Sequence, residues 1–343
     1  MIPVIKKAWL YTFCLFLLTF SCTSINSSNR EDTPNKQTSA PSGITISNAD
    51  RTNELRDRIE QISHAAQGRV GVTATVLETA QSVTLNGSQQ FPMQSVYKFP
   101  IAMAVTLKGN QQFPMQSVYK FPIAMAVLAQ VDQGKLKLHQ KIRVETSDVL
   151  QGSRILDEKS QGMEFILAEL LKYMVSESDG TSCNVLLRQV GEPRIVTEYL
   201  RSLGINDIVV ANTEKELAQD PAVKYRNYAT PDATVVLLRA LHEGKGLSKS
   251  SQALLLQLMT QTTTGPKRIK GLLRDGTVVA HKTGTSSTVN GVTAATNDVG
   301  LVALPNGQHM ALAVFVSDSP ANDAIREEVI AKVTKVAWDE WSR

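Results

Sequence analysis

In "NELRDRIEQISHAA" (53–66) the apolar positions Leu55, Ile59 and Ile62 recur every three to four residues, which predicts a helix with one buried side. Gly68 ends that rhythm, and "RVGVTATVLE" then alternates apolar with small or polar residues, as a strand does. "SVTLNG" continues to Asn86-Gly87, a pair that favours a hairpin turn. Helical spacing returns in "MEFILAELLKYMVSES", "NVLLRQV", "EPRIVTEYLRSLG", "PDATVVLLRALHEG" and "SSQALLLQLMTQTT". Between Gly204 and Pro231 runs a long, largely polar connection, and long connections inside compact domains are often functional. Strands resume in "GTVVAHKTGT", "TAATNDVGLVAL" and "HMALAVFVSD", and "NDAIREEVIAKVTKVAWDEW" closes the chain as a helix. This order predicts an α+β architecture. Both ends build an antiparallel sheet flanked by helices, and an all-helical lobe over about residues 128–262 packs beside it.

One stretch breaks the pattern by occurring twice. "TLNGSQQFPMQSVYKFPIAMAV" (84–105) is followed at once by "TLKGNQQFPMQSVYKFPIAMAV" (106–127), which differs only where Asn86 meets Lys108 and Ser88 meets Asn110. Solenoids need a longer series of repeats, so this reads as a single tandem duplication.

Composition changes the picture at the N-terminus. Lys6 and Lys7 precede the thirteen-residue apolar run "AWLYTFCLFLLTF", too short to span a bilayer, and a polar stretch follows. Residues 1–22 therefore read as an export signal, 23–50 as a linker and 51–343 as the folded domain. Cys22, directly after the run, leaves two outcomes open: a lipid-anchored cysteine, or release into the periplasm. The net charge of +4 comes from scattered lysines and arginines, which excludes a nucleic-acid-binding face. Cys183 is the only cysteine after residue 22, so no internal disulfide is expected in the domain. The five histidines fall in no H-x-H or H-E-x-x-H arrangement, and neither a metal nor another cofactor is expected.

Three short motifs carry chemistry. Ser-Val-Tyr-Lys places a lysine one helical turn after a serine, and burial among apolar residues lets such a lysine take the serine proton. On its own the spacing is weak, being common on exposed helices, but the helix after Lys120 is apolar all round and must be central. "Ser-Glu-Ser-Asp-Gly" (176–180) taken alone is an ordinary capping turn between helices. "His-Lys-Thr-Gly-Thr" (281–285) is an unusual strand, whose small residues let another backbone or a substrate approach.

S-x-x-K, then S-D-x, then K-T-G, in that order, resembles the class A serine β-lactamases. The resemblance covers the chain after the linker. "VVAN", "TTTGPKRIKGLL" and "VVAHKTGTS" look closest to an extended-spectrum branch found in Bacteroidetes-type bacteria. It implies a β-lactamase/transpeptidase-like fold, a small-molecule β-lactam substrate and a monomer. It also implies roles for individual residues. The motif serine attacks the lactam carbonyl while its lysine shuttles the proton, and Ser178 passes a proton to the leaving nitrogen. Glu214, first acid of "TEKEL", activates the hydrolytic water. Lys282, Thr283 and Arg268 bind the substrate carboxylate, and backbone N–H groups of the serine and Thr285 form the oxyanion hole beside Gly284. Gly180 stands where the family usually has an asparagine that grips the acylamino side chain, and Ala218 where many members have a water-holding asparagine.

The repeat offers two nucleophiles, Ser95 and Ser117. The first copy runs into Gly109 and Asn110, which would end its helix, whereas the second continues "PIAMAVLAQVDQGKL" to Gly134. Extra loop residues cost little, so Ser117 with Lys120 is the expected pair. Two other functions share these motifs: a penicillin-binding DD-peptidase, and a non-hydrolysing receptor that keeps the acyl group.

Overall fold

The computed structural model describes residues 48–88, 113–219, 223 and 225–343, all within one compact unit, Ile46–Arg343. The export signal, most of the linker and the repeat from residue 89 to residue 112, with Ser95, lie outside the described residues.

The helices are α1 (Asn48–Ser63), α2 (Lys120–Asp132), α3 (Leu167–Val175), α4 (Gly180–Val190), α5 (Glu192–Ser202), α6 (Glu214–Gln219), α7 (Pro231–His242), α8 (Lys249–Thr260) and α9 (Asp323–Trp341). The strands are β1 (Arg69–Val76), β2 (Ser82–Leu85), β3 (Phe113–Pro114), β4 (Lys141–Arg143), β5 (Glu164–Ile166), β6 (Ile208–Val209), β7 (Tyr228–Ala229), β8 (Val279–Thr285), β9 (Thr288–Val289), β10 (Val292–Ala303) and β11 (His309–Ser319). The main sheet runs β2-β1-β11-β10-β8, with β9 paired to β10 and all pairings antiparallel.

Strand alternation sorts side chains onto two cores. Val70, Val72, Ala74 and Val76 of β1, with Met310, Leu312, Val314 and Val316 of β11, pack under α1 and α9 against Leu55, Ile59, Ile330 and Trp338. The intervening Ala311, Ala313 and Phe315 face the helical lobe, joined there by Ala280, Val299 and Leu301. Each such large apolar side chain stabilises the fold by about 1.5–3 kcal/mol relative to exposure. Asn322 starts α9 by accepting the Ile325 N–H at 3.0 Å, as an N-cap should.

The lobe is built around α2, in which every residue from Lys120 to Ala129 is buried. Its entry is fixed by β3, since Phe113 pairs with Ala229 and lies on the sheet 5.5 Å from the Phe315 ring. Gly71 makes room, because a Cβ there would sit 2.5 Å from the Phe113 ring. The second copy of the repeat thus supplies a strand, a 3-10 turn (Gln116–Tyr119) and the unbroken central helix.

Two local expectations differ from the described structure. Among the described residues Asn86-Gly87 turns no hairpin: β2 pairs backwards with β1, through a turn at residues 77–81. Asn86 (φ +55°) instead ends β2, its amide donating to the Val70 carbonyl at 2.9 Å. The helix expected from Met163 starts only at Leu167, because Glu164–Ile166 pairs with β4. Glu169 reaches back to the Ile166 N–H at 3.0 Å and sets that start.

Candidate active site

Ser117 lies half-buried at the head of α2, and the residue before it, Gln116, is held in left-handed backbone (φ +47°). That conformation costs a non-glycine residue about 1–2 kcal/mol, a strain typical of functional turns. Lys120, one turn on and 1% exposed, donates to Ser117 Oγ at 3.1 Å and to the Ser178 carbonyl at 2.7 Å. Its Nζ also lies 2.8 Å from Glu214 Oε1, as an ion pair outside hydrogen-bond angles. Serine, lysine and carboxylate therefore meet at the head of α2, with Glu214 brought in by α6.

The Ser-Asp-Gly turn is built by its aspartate. Asp179 is fully buried, and Oδ1 caps α4 by accepting the Ser182 N–H and hydroxyl at 2.7 Å each. Oδ2 accepts from Ser153 Oγ at 2.7 Å and from the Ile155 and Leu156 N–H groups at 2.8 and 3.1 Å. With Asp179 anchored on both sides, Ser178 takes φ +60° and turns its hydroxyl towards Lys282.

Lys282 on β8 is fully buried and donates to Ser178 Oγ at 2.8 Å and to the Thr283 carbonyl at 3.1 Å. Burial first, and the neighbouring charge of Lys120 second, hold its ammonium well below the ordinary lysine range, while Asp298 and Glu214 oppose the shift. Ser178 thus joins the two lysines, one on its carbonyl and the other on its hydroxyl. Gly284 lets β8 close on the Ser117 turn: a Cβ there would stand 2.3 Å from the Met115 carbonyl oxygen and 3.1 Å from the Val118 nitrogen. Thr283 Oγ1 bonds Thr264 Oγ1 at 2.5 Å, and Thr285, last in the strand, is exposed.

Arg268 is placed differently from a free carboxylate clamp. Its side chain is 7% exposed, with Nε donating to Glu327 at 3.1 Å and Nη1 to the Asn297 carbonyl at 3.0 Å. Nη2 donates to Thr285 Oγ1 at 2.8 Å, at the exposed end of β8.

The two glutamates of α6 diverge. Glu216 Oε2 accepts the Thr213 N–H at 2.8 Å and caps the helix, whereas Glu214 turns inward to Lys120. Asn184 holds Glu214 from behind, accepting its N–H at 3.0 Å and donating to the Asp148 carbonyl at 2.9 Å. Fully buried Asn227 closes the base of the loop, accepting the Ala211 and Asn212 N–H groups at 2.7 and 2.9 Å. Ala218 is exposed. Gly180, at the start of α4, abuts Leu150, whose Cδ2 would lie 2.4 Å from a Cβ at position 180.

Sequence reasoning missed Asn184 and Asn297. Asn297, fully buried on β10, donates to the Pro114 carbonyl at 2.8 Å and so ties the sheet to the residues leading into Ser117. No local pattern marks either residue. Cys183 packs behind the site with its sulfur 3.5 Å from the Tyr119 hydroxyl, and burial pushes its thiol up to about 12, leaving it inert.

The sequence profile of the β-lactamase enzyme family matches residues 54–108 and 105–341. This chain belongs to the class A β-lactamases. It is 45% identical over 287 residues to the extended-spectrum β-lactamase PER-1 of Pseudomonas aeruginosa, covering 83% of this chain and 86% of PER-1. Against β-lactamase VEB-1 of the same species it is 37% identical over 300 residues, covering 86% and 93%. Among solved structures, a β-lactamase from Chitinophaga pinensis superposes with a TM-score of 0.75 at 42% identity, over 84% of this chain and 99% of that one. The TLA-1 extended-spectrum β-lactamase gives 0.76 at 38% identity, over 85% and 99%. These relatives share the antiparallel sheet flanked by helices that the chain's patterning predicts, whereas the lobe expected to be all-helical carries two short strand pairs, β4 with β5 and β6 with β7.

Proposed function

We propose that this β-lactamase hydrolyses penicillins and cephalosporins through an acyl-enzyme on Ser117, protecting its cell from these antibiotics. The observation that carries the reading is the meeting of Lys120 with Ser117 Oγ at 3.1 Å and Glu214 at 2.8 Å. Ser117 Oγ attacks the lactam carbonyl and its proton passes to the Lys120–Glu214 pair. Oxyanion charge is met by the N–H groups of Ser117 and Thr285. The C–N bond then breaks, Ser178, steered by its hydrogen bond from Lys282, gives the nitrogen its proton, and the proton held by the Lys120–Glu214 pair replaces it, so that Glu214 is again a carboxylate. Glu214 next takes a proton from water as the water oxygen attacks the ester carbonyl, the carbonyl C–Oγ bond breaks, and that proton passes back to Ser117 Oγ, restoring the serine and the Glu214 carboxylate. Lys282, Thr283 and Thr285 hold the substrate carboxylate, with Arg268 orienting Thr285. Gly180 borders the acylamino side chain.

The extended-spectrum names of PER-1 and TLA-1 support placing the chain in that branch. The two-part profile match, meeting at residues 105–108, supports reading the repeat as a tandem duplication, and the contact of Lys120 with Ser117 and Glu214 supports the second copy as the catalytic one. Among the described residues no helix is long and apolar enough to cross a membrane. Export through residues 1–22, with Cys22 either lipidated or released with a periplasmic monomer, is part of the same proposal.

The deciding experiment mixes the purified chain with a chromogenic cephalosporin. Continuous turnover is expected, and a single stoichiometric burst would mean a peptidase or receptor. Ser117→Ala should lower kcat by about 10⁴–10⁶-fold, as loss of a serine nucleophile does, while Ser95→Ala retains turnover. Loss in Ser95→Ala alone would overturn the choice of copy.

A further inference from the structure

The five histidines are scattered along the chain, but folding brings two of them together with a carboxylate. Glu78 sits just after β1, His242 is the last residue of α7, and His309 opens β11. One ligand atom from each lies within 4.8 Å of the other two. Glu78 Oε1 is 2.8 Å from His309 Nδ1 and 3.9 Å from His242 Nε2, and the two imidazole centroids are 4.7 Å apart. We propose that Glu78, His242 and His309 form a binding site for a divalent transition cation of the zinc type, separate from the catalytic centre.

The donor set fits that class of ion. Two imidazoles and one carboxylate are zinc ligands, and a tetrahedral set at 2.0–2.1 Å has ligand-to-ligand edges of about 3.3 Å. The observed 2.8 and 3.9 Å bracket that edge, so modest side-chain rotation would admit the ion. The side chains of Glu78, His242 and His309 are 36%, 29% and 42% exposed, which gives them freedom to rotate and leaves the fourth position to water. Position helps as well, because the C-terminal end of α7, where His242 sits, carries the negative end of the helix dipole.

Arg239, three residues before His242 on α7, donates to the Leu77 carbonyl at 3.1 Å and pairs with Glu243 at 3.9 Å. Lys245 also pairs with Glu243, at 2.7 Å. A bound ion would staple the turn after β1 to α7 and β11.

The site is remote from the chemistry. Thr285 pairs with Thr296 and His309 with Ala303, and those two β10 residues stand seven positions apart. At the rise of a strand that is about 23 Å.

The test titrates zinc into the tag-free, chelator-stripped full chain by calorimetry, with melting temperature and cephalosporin turnover read on the same samples. One zinc per chain is expected, with a dissociation constant of about 10 µM or tighter, and a melting temperature that rises with zinc concentration. Glu78→Gln and the double variant His242→Ala/His309→Ala should each weaken binding at least about tenfold with turnover unchanged. Glu78→Gln preserves shape, so a loss there is not a folding failure. No stoichiometric binding by the parent chain, or binding that persists in the double variant through exposed His64 or His139, would overturn the proposal. Turnover read alongside keeps this outcome separate from that of the hydrolytic reading.

Discussion

The main sheet carries ionisable groups at both ends, and burial distinguishes them more than composition does. At the Thr285 end, Lys120 and Lys282 are 1% and 0% exposed, and each partner is fixed by packing around α2 and β8. At the His309 end, Glu78, His242 and His309 keep roughly a third of their side-chain surface in water. Buried charges without water must be answered by protein groups already in place, which is the preorganisation that catalysis uses. Half-exposed groups can rotate and exchange water for a ligand, which suits an adaptable ion site. One end is built to react, the other to bind.

Removing a charge should therefore cost far more at the first end. Lys282→Ala should reduce kcat/KM for carboxylate-bearing cephalosporins by roughly 10- to 100-fold, the worth of one charged hydrogen bond. The same lysine should shape the pH profile. Its folded value is lowered, so it loses its proton, and its hold on the carboxylate, at a lower pH than a solvated lysine. The alkaline limb of kcat/KM should then fall well below the ordinary lysine value of about 10.4. A limb at the ordinary value would show that burial does not govern this end.

A smaller effect is expected beside the site. Gly180→Asn alone should change kcat/KM little, because Leu150 occupies the space its Cβ needs. Combined with Leu150→Ala, it should raise kcat/KM for acylamino cephalosporins about two- to tenfold, the value of one neutral hydrogen bond. A full gain in the single variant would mean that the leucine tip yields freely. Smallest of all, His242→Ala/His309→Ala should leave kcat/KM within about twofold, since sites this far apart rarely couple.

The contrast also marks what the chain reveals before folding. Lys120 and Lys282 were legible because each belongs to a short motif on one element, and their elements announce themselves by periodicity. The base of the loop was legible in part: the resemblance pointed to Glu214 as first acid of "TEKEL", but only its inward turn separates it from capping Glu216. Asn184, Asn297 and Leu150 left no signal, because each acts on a backbone or side chain brought near by tertiary packing. Among the described residues Asn86-Gly87 joins no second strand, and the Asn86 amide donates to the Val70 carbonyl at the strand end. Arg268 was expected at the substrate carboxylate, and its bonds to Glu327 and the Asn297 carbonyl could not be read from the chain because folding brings those partners near. The absence of a spaced histidine motif carried no information about Glu78, His242 and His309, which three elements assemble.

The central claim is that Ser117 is acylated and Glu214 releases it. Glu214→Ala should be acylated by a cephalosporin but slowed in deacylation by about 10²–10⁴-fold, so that adduct accumulates. Trypsin separates the two serines, since cleavage after lysine and arginine places Ser95 in peptide 70–98 and Ser117 in peptide 109–120. Mass spectrometry of the digest should find the added mass on 109–120 alone, and Glu216→Ala, which loses only a helix cap, should trap nothing. Adduct on 70–98, or trapping by Glu216→Ala while Glu214→Ala turns over normally, would contradict the account.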